Sequence, residues 1–291
     1  MAQKSIDLHT HTHCSDGSYS PRDLVRLAHE KSVNAIAVTD HDTMAGVEEA
    51  LAAGEEFEVE VIPGVEISSF HDRGVLHILG YYIDARDESL QGFLQECINA
   101  RNRRNPMIVQ RLEELGYPLN MDEVVSLAGG EVINRPHFAQ AMLNRGYVQT
   151  RQEAFDRFLG QGAPAYFAKE VFSPEEIVSF IHASGGLAVL AHPNLLNMNR
   201  LSETGAEIRR LHEQAGFDGI EAYHGDCILE YAQYYDALAR ELGLFTTGGS
   251  DFHGDGKHQS LGQTRCLDAI PYEFLDTMKQ SLSRRQAIPN P

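Results

Sequence analysis

The stretch Ile6-Asp7-Leu8-His9-Thr10-His11-Thr12-His13-Cys14-Ser15-Asp16-Gly17 decides how the chain is read. Its apolar opening, Ser5 to Leu8, has strand character and runs straight into histidines 9, 11 and 13 and the carboxylate of Asp16. Side chains of a strand alternate between its faces, so His9 and His11 point the same way and can grip one ion. Two histidines at this spacing would fit a solvated surface strand about as well. The metal reading gains weight because several later strand ends carry the same residue types.

Working outward, Ser20-Pro21 starts a helix: a cap residue, proline at the first position, then Leu24, Val25, Leu27 and Ala28, with His29 at its solvated end. Residues 34–39 are continuously apolar, as in a strand buried on both faces of a parallel sheet, and lead into Asp40-His41-Asp42-Thr43. A helix follows over 45–53, a strand over 59–65 that ends in Glu66, and a strand over 74–82 with His77 inside it. Strands alternating with helices predict βαβ units and a parallel sheet. The ligand-type residues fall mainly at the carboxyl ends of the strands, where closed βα barrels carry their sites.

From about residue 87 to 166 no strand is expected. A long helix over 90–115, interrupted by Arg101-Asn102-Arg103-Arg104 and by Pro106, precedes helices over 121–128, 135–145 and 151–159. This predicts a helical insertion (99–166) over the mouth of a barrel built from 1–98 and 167–291, with Gly160-Gln161-Gly162-Ala163-Pro164 as the return linker. The barrel rhythm then resumes. A helix from Ser173-Pro174 stops at Gly185-Gly186, a strand over 187–191 ends in His192-Pro193, and a helix covers 202–214. A strand over 219–222 ends near Tyr223-His224, a helix covers 228–242, and a strand over 244–247 leads through Gly248-Gly249-Ser250 to Asp251-Phe252-His253-Gly254. The last helix spans 272–282, and no internal repeat is visible.

The 291 residues, 42% hydrophobic, can bury a sizeable core, and a net charge of −18 argues against a broad footprint on nucleic acid or anionic lipid. A local site can still bind phosphate where metal ions and a few Arg or Lys reverse the sign. Cys14, Cys97, Cys227 and Cys266 form no C-x-x-C pair, which suits free thiols in a reducing cytoplasm. No apolar run approaches the roughly 20 residues of a membrane span, and no secretory signal precedes the first strand. The expected location is the cytoplasm, with no membrane association and no stable protein partner.

The strand ends collect His9, His11, Asp16, His41, Glu66, His77, His192, Asp251 and His253. Nine groups exceed the needs of one tetrahedral ion and suit two or three ions, with carboxylates such as Glu66 and Asp251 bridging. Imidazole mixed with carboxylate favours Mn²⁺, Fe²⁺ or Zn²⁺ over Ca²⁺ or an all-oxygen Mg²⁺ cage. Cys14 is read as a neighbour of the ligands.

Together H-T-H-T-H-C-S-D-G, T-D-H-D-T, P-G-V-E-I-S, H-I-L-G-Y, A-H-P and G-S-D-F-H-G resemble the polymerase and histidinol phosphatase (PHP) family. The resemblance spans His9 to Gly254 and implies a distorted (β/α)7 barrel, related to the amidohydrolases, that holds metal ions and cleaves phosphate esters. It implies His9, His11, Glu66 and Asp251 on one ion, Glu66, His77 and His192 on its neighbour, and Asp16, His41 and His253 on a third. His77 is preferred to His71 as the partner of Glu66. Mn²⁺ is the first choice of metal, with Fe²⁺, Zn²⁺ or Mg²⁺ as alternatives.

Within the family, Asn134-Arg135-Pro136-His137 in the insertion resembles the nucleotide-directed group, which comprises phosphatases of nucleoside 3′,5′-bisphosphates and 5′-to-3′ exoribonucleases of short RNA. The expected reaction is hydrolysis of the 3′-phosphate monoester of a bisphosphate such as adenosine 3′,5′-bisphosphate. Arg135 offers a planar fork for the second phosphate, with His137 and Lys169 as further donors. Asn194 is expected to line the site, and His224 to contact substrate or protonate the leaving group beside Asp251. Arg101, Arg103 and Arg104 are expected on a solvated helix face, and His182, His212 and His258 on the surface. Short RNA, a histidinol-phosphate-like metabolite, an amide-type bond, or a non-catalytic metal- and nucleotide-binding module are the alternatives.

Overall fold

The computed structural model describes residues 4–254 and 260–287; His258 lies outside them. Strands β1 (Ser5–Thr10), β2 (Val33–Val38), β3 (Glu60–Ser69), β4 (Leu76–Tyr81), β5 (Leu187–Leu190), β6 (Gly219–His224) and β7 (Phe245–Gly249) lie side by side in sequence order. The ring closes where His11 N–H donates to Phe252 O (2.8 Å) and Phe252 N–H to His9 O (3.3 Å). A two-residue β8 (Ile270–Pro271) pairs antiparallel with the start of β1. The result is a distorted, nearly closed β/α barrel.

Its main distortion is β4. The sequence rhythm suggests a parallel sheet, yet β4 runs antiparallel to both β3 and β5. Only residues 70–75 separate β3 from β4, too few for the crossover that a parallel pair requires. The start of β4 therefore sits at the rim where the other strands end, which brings His77 there.

Alternation sorts the strands between two environments. Ala35, Ala37, Ile62, Leu187 and Val189 fill the barrel with Ile6, Leu8 and Tyr81, whose hydroxyl donates to Leu8 O (2.7 Å). Ile36 and Val38 face outward onto Leu24, Val25, Ala50 and Ala53 of helices α1 (Pro21–Glu30) and α2 (Val47–Phe57). Ser20 caps α1 by accepting from Asp23 N–H (3.0 Å), with Pro21 at its first position.

Helix α3 (Glu88–Glu114) runs unbroken through the basic stretch and through Pro106, where an interruption was expected. At about 1.5 Å per residue it is roughly 40 Å long, twice the length of the six-residue strands. Its first half (Leu90, Phe93, Leu94, Cys97) packs on the barrel. Its second half (Ile108, Leu112) joins a separate core with Val124, Phe138, Met142 and Leu159. That second core also holds α4 (Met121–Val125), α5 (Arg135–Asn144), α6 (Arg151–Ala154) and a π-helical turn, Phe155–Leu159. The barrel is completed by α7 (Pro174–Ala183), α8 (Leu201–Ala215), α9 (Leu229–Glu241) and α10 (Glu273–Gln286). Among the described residues no helix is long and apolar enough to cross a membrane.

His29 is exposed as expected, but His182 and His212 are only partly so. His182 Nε2 bonds Asp218 (2.8 Å), and His212 packs beside the Phe217 ring.

Candidate metal centre

Each strand end delivers one part of the site. Leu8 points into the barrel, and strict alternation would turn His9 outward. The β1–β2 register slips between Asp7 and Thr10, and this bulge lets His9 join the rim. There is no room for a side chain behind it: a Cβ on Gly249 would collide with the Cβ and N of His9. His41 follows β2 and Glu66 lies in the upper part of β3. His192, His224, Asp251 and His253 sit at or beyond the ends of β5, β6 and β7.

Glu66 is the hub. Its Oε1 lies 2.6 Å from His77 Nδ1, 2.9 Å from His192 Nε2 and 3.4 Å from His9 Nε2, and its Oε2 lies 2.8 Å from His41 Nδ1 and 3.4 Å from His11 Nε2. Asp251 Oδ1 is 3.1 Å from His11 Nε2 and 3.6 Å from His9 Nε2. Asp16 Oδ1 is 3.4 Å from His253 Nε2 and 3.8 Å from His41 Nε2. Three groups have donor atoms within 4.8 Å of one another: His9, His11 and Asp251; His41, Glu66 and His77; and His11, Asp16, His41 and His253. All nine expected ligand residues converge here. The resemblance gives His11 and His41 to one ion each, whereas each faces two groups. His71 turns away, with Nε2 3.4 Å from Glu207, leaving His77 beside Glu66.

These residues fit metal ions on the chemistry of the donors. His9 Nε2, His11 Nδ1 and Nε2, Asp16 Oδ1, His41 Nδ1, Glu66 Oε2 and His192 Nδ1 are buried and make no hydrogen bond. Buried polar atoms are ordinarily bonded, so a concentration of unbonded lone pairs marks a place for cations. Burial pushes His11 down to about 3 and His77 down to about 4, keeping these imidazoles neutral and able to donate lone pairs. Burial opposes ionisation of Glu66, but His77, His41 and His9 around it hold its carboxyl well below the usual range. Asp42, His192 and Asp251 adopt φ of 55°, 28° and 56°, conformations that cost side-chain-bearing residues about 1–3 kcal/mol each and collect at functional sites.

Four buried carboxylates beyond the expected set lie behind the rim. Asp7 accepts from Ser250 N–H (2.9 Å), Gly262 N–H (2.8 Å) and His9 N–H (3.2 Å); burial pushes it up to about 6. Asp40 accepts from Thr12 N–H (2.8 Å), Thr12 Oγ1 (2.6 Å) and Ser15 Oγ (2.6 Å), which fixes the loop carrying His11 and Asp16. Glu221 accepts from His9 Nδ1 (2.9 Å) and from His192 N–H (2.8 Å). Asp42 takes Arg101 Nε (2.8 Å) and Lys169 Nζ (2.6 Å) on one oxygen. Burial would raise Asp42, but those two cations hold it far below the carboxylate range.

The basic run corrects the reading of a solvated helix face. Arg103 is exposed and pairs with Glu170, but Arg101 and Arg104 are buried, 6% and 5% exposed. Among the described residues Arg104 bonds only the neutral Asn105 Oδ1 (2.8 and 3.2 Å). Burial and the nearby charges of Arg101 and Arg135 push it down to about 9. Arg135 donates to Leu159 O (3.1 Å) and lies over the Tyr166 ring. His137 accepts from Asn134 N–H at Nδ1 (3.0 Å), so its proton is on Nε2, and it feels the charges of Asp16 and Arg101. Lys169 is engaged by Asp42, and burial and Arg101 push it down to about 8. Asn194 lies on the short turn Pro193–Leu196 that follows His192, and its Oδ1 is buried and makes no hydrogen bond. Cys14 lies beside His13, outside the three ligand groups.

A barrel rim that presents imidazoles and carboxylates in three overlapping groups defines a metal-dependent hydrolase centre. The PHP domain model matches residues 7–166, and the chain belongs to the PHP family, the metal-dependent phosphoesterases that its motifs resemble. It is 37% identical to a 5′-3′ exoribonuclease of Haemophilus influenzae over 86% of this chain and 90% of that protein. It is 32% identical to a 3′,5′-nucleoside bisphosphate phosphatase of Chromobacterium violaceum over 91% of this chain and 93% of that one. A Bifidobacterium adolescentis structure assigned as a metal-dependent phosphoesterase superposes with a TM-score of 0.85 at 29% identity, covering 97% of each chain.

Proposed function

We propose that this protein hydrolyses the phosphoester on O3′ of a nucleotide that also carries a 5′-phosphate, with nucleoside 3′,5′-bisphosphates as the substrate and Mn²⁺ as the metal. The observation that carries this reading is Arg104, a buried guanidinium that has no acid partner among the described residues and lies beside Arg101 and Arg135, next to a cation-binding rim in a chain of charge −18. A buried unpaired cation is costly, and an anionic ligand compensates it.

Metal ions bound to the rim would supply Lewis acidity and an activated water. The chain's own residues divide the remaining work. Arg104, Arg135 and His137 Nε2–H grip the 5′-phosphate, while Asp42 fixes Arg101 and Lys169 between that handle and the rim. Binding energy gathered there, away from the reacting phosphorus, selects bisphosphates over plain monophosphates. Water attacks phosphorus, the P–O3′ bond breaks, and the ribose O3′ takes a proton. His224 can give it as the imidazolium, from the Nε2–H that lies 3.4 Å from Asp251 Oδ2, and is left as the neutral imidazole. Burial alone would lower its pKa, but Asp251 and Glu221 raise it above the ordinary imidazole value.

A second reading, 5′-to-3′ removal of nucleotides from short RNA, is favoured by the Haemophilus relative. It breaks the same bond and uses the same handle. Steady-state kinetics with Mn²⁺ on adenosine 3′,5′-bisphosphate and on a short 5′-phosphorylated RNA separate the two. A higher kcat/KM on the bisphosphate supports the first reading, and a higher one on RNA supports the second. No turnover of either overturns both.

A further inference from the structure

Glu221 is a carboxylate in the middle of β6, with Ile220 and Ala222 facing the outer helices and Glu221 facing the barrel, 1% exposed. Both of its oxygens are used, each by a different ligand residue. Oε1 receives His9 Nδ1–H at 2.9 Å, and Oε2 receives the backbone N–H of His192 at 2.8 Å. His192 holds φ at 28°, so this bond secures a strained residue whose ring must reach Glu66. His9 stands on β1 and His192 after β5; Glu66 faces the Nε2 atoms of both on the rim side, and Glu221 holds both from behind.

We propose that Glu221 is a positioning residue of the metal centre, fixing His9 as the Nδ1–H tautomer with Nε2 aimed at the rim and clamping His192 beside Glu66. The inference rests on the metal-centre reading above. A carboxylate behind a ligating imidazole sets its tautomer and orientation, and its loss lowers metal affinity by roughly 10- to 100-fold. Only an acceptor at both oxygens serves both N–H groups. In Glu221→Gln the shape is kept, but one position becomes an NH₂ that confronts either His9 or His192 donor to donor.

The experiment is titration of metal-stripped protein with Mn²⁺ by calorimetry, on wild type, Glu221→Gln and Glu221→Asp, with unfolding midpoints recorded in excess chelator. Wild type is expected to bind two or three ions. Glu221→Gln is expected to keep its chelator-state unfolding midpoint within a few degrees and to lose about 10- to 100-fold in affinity for at least one ion. Glu221→Asp, which keeps both acceptors on a shorter arm, should fall between. Unchanged Mn²⁺ affinity in Glu221→Gln would overturn the proposal, as would a loss confined to the unfolding midpoint. Failure of the wild type to bind Mn²⁺ would overturn the metal centre itself.

Discussion

His77 Nδ1 lies 2.6 Å from Glu66 Oε1, although His77 opens a strand that runs against its neighbours and Glu66 lies near the end of one. Antiparallel pairing is what makes this meeting possible, and it separates His77 from His71, whose ring is held by Glu207. His77→Ala should therefore lower Mn²⁺ affinity and turnover by about 100-fold or more, beyond what losing an outer partner does. His71→Ala should leave both within a few-fold. Parallel calorimetry and kinetics on the two variants check this.

Asp42 carries two cations from outside the rim, Arg101 on α3 and Lys169 on the return segment. Asn tolerates a φ of 55° well, so Asp42→Asn isolates the charge. Stranding Arg101 and Lys169 in a buried place should destabilise the protein by about 3–5 kcal/mol in urea denaturation. A loss below 1 kcal/mol would mean that solvent compensates them.

Arg104→Leu removes the unpaired guanidinium and keeps the apolar bulk. On the proposed function, KM for adenosine 3′,5′-bisphosphate should rise about 10- to 100-fold, the value of one or two charge-assisted hydrogen bonds. Hydrolysis of a simple aryl phosphate, which has no second phosphate, should stay within a factor of two or three. Equal loss on both substrates would remove Arg104 from recognition.

Gly249→Ala forces a methyl group against the His9 backbone. A tightly packed site that must shift should lose about 1–3 kcal/mol, and Mn²⁺ affinity should fall with it because His9 moves. Thermal unfolding with and without Mn²⁺ separates the two effects: the metal-dependent gain in midpoint should shrink more than the chelator-state midpoint falls.

The residues of the rim were legible because they follow short apolar runs, and strand ends are where a barrel gathers residues distant in sequence. The capping signals at Ser20-Pro21 and Ser173-Pro174 were equally plain, and Ser173 with Glu176 forms the full capping box. The basic run was not. Helical spacing cannot tell an arginine facing water from one facing a carboxylate 59 residues away, as Arg101 does with Asp42. The direction of β4 was readable in principle from the few residues between Ser69 and Leu76. Glu221 had a signal as well, since a lone carboxylate between Ile220 and Ala222 in a buried strand needs a partner. The His192 backbone reaches it through the pairing of β5 with β6, and His9 through closure of the ring.

The most direct test of the central claim is anomalous diffraction from crystals grown with Mn²⁺. Two or three peaks are expected on the rim, within ligand distance of the groups centred on Glu66, Asp251 and Asp16. A map with no peak there, at Mn²⁺ concentrations that support turnover, would contradict the account.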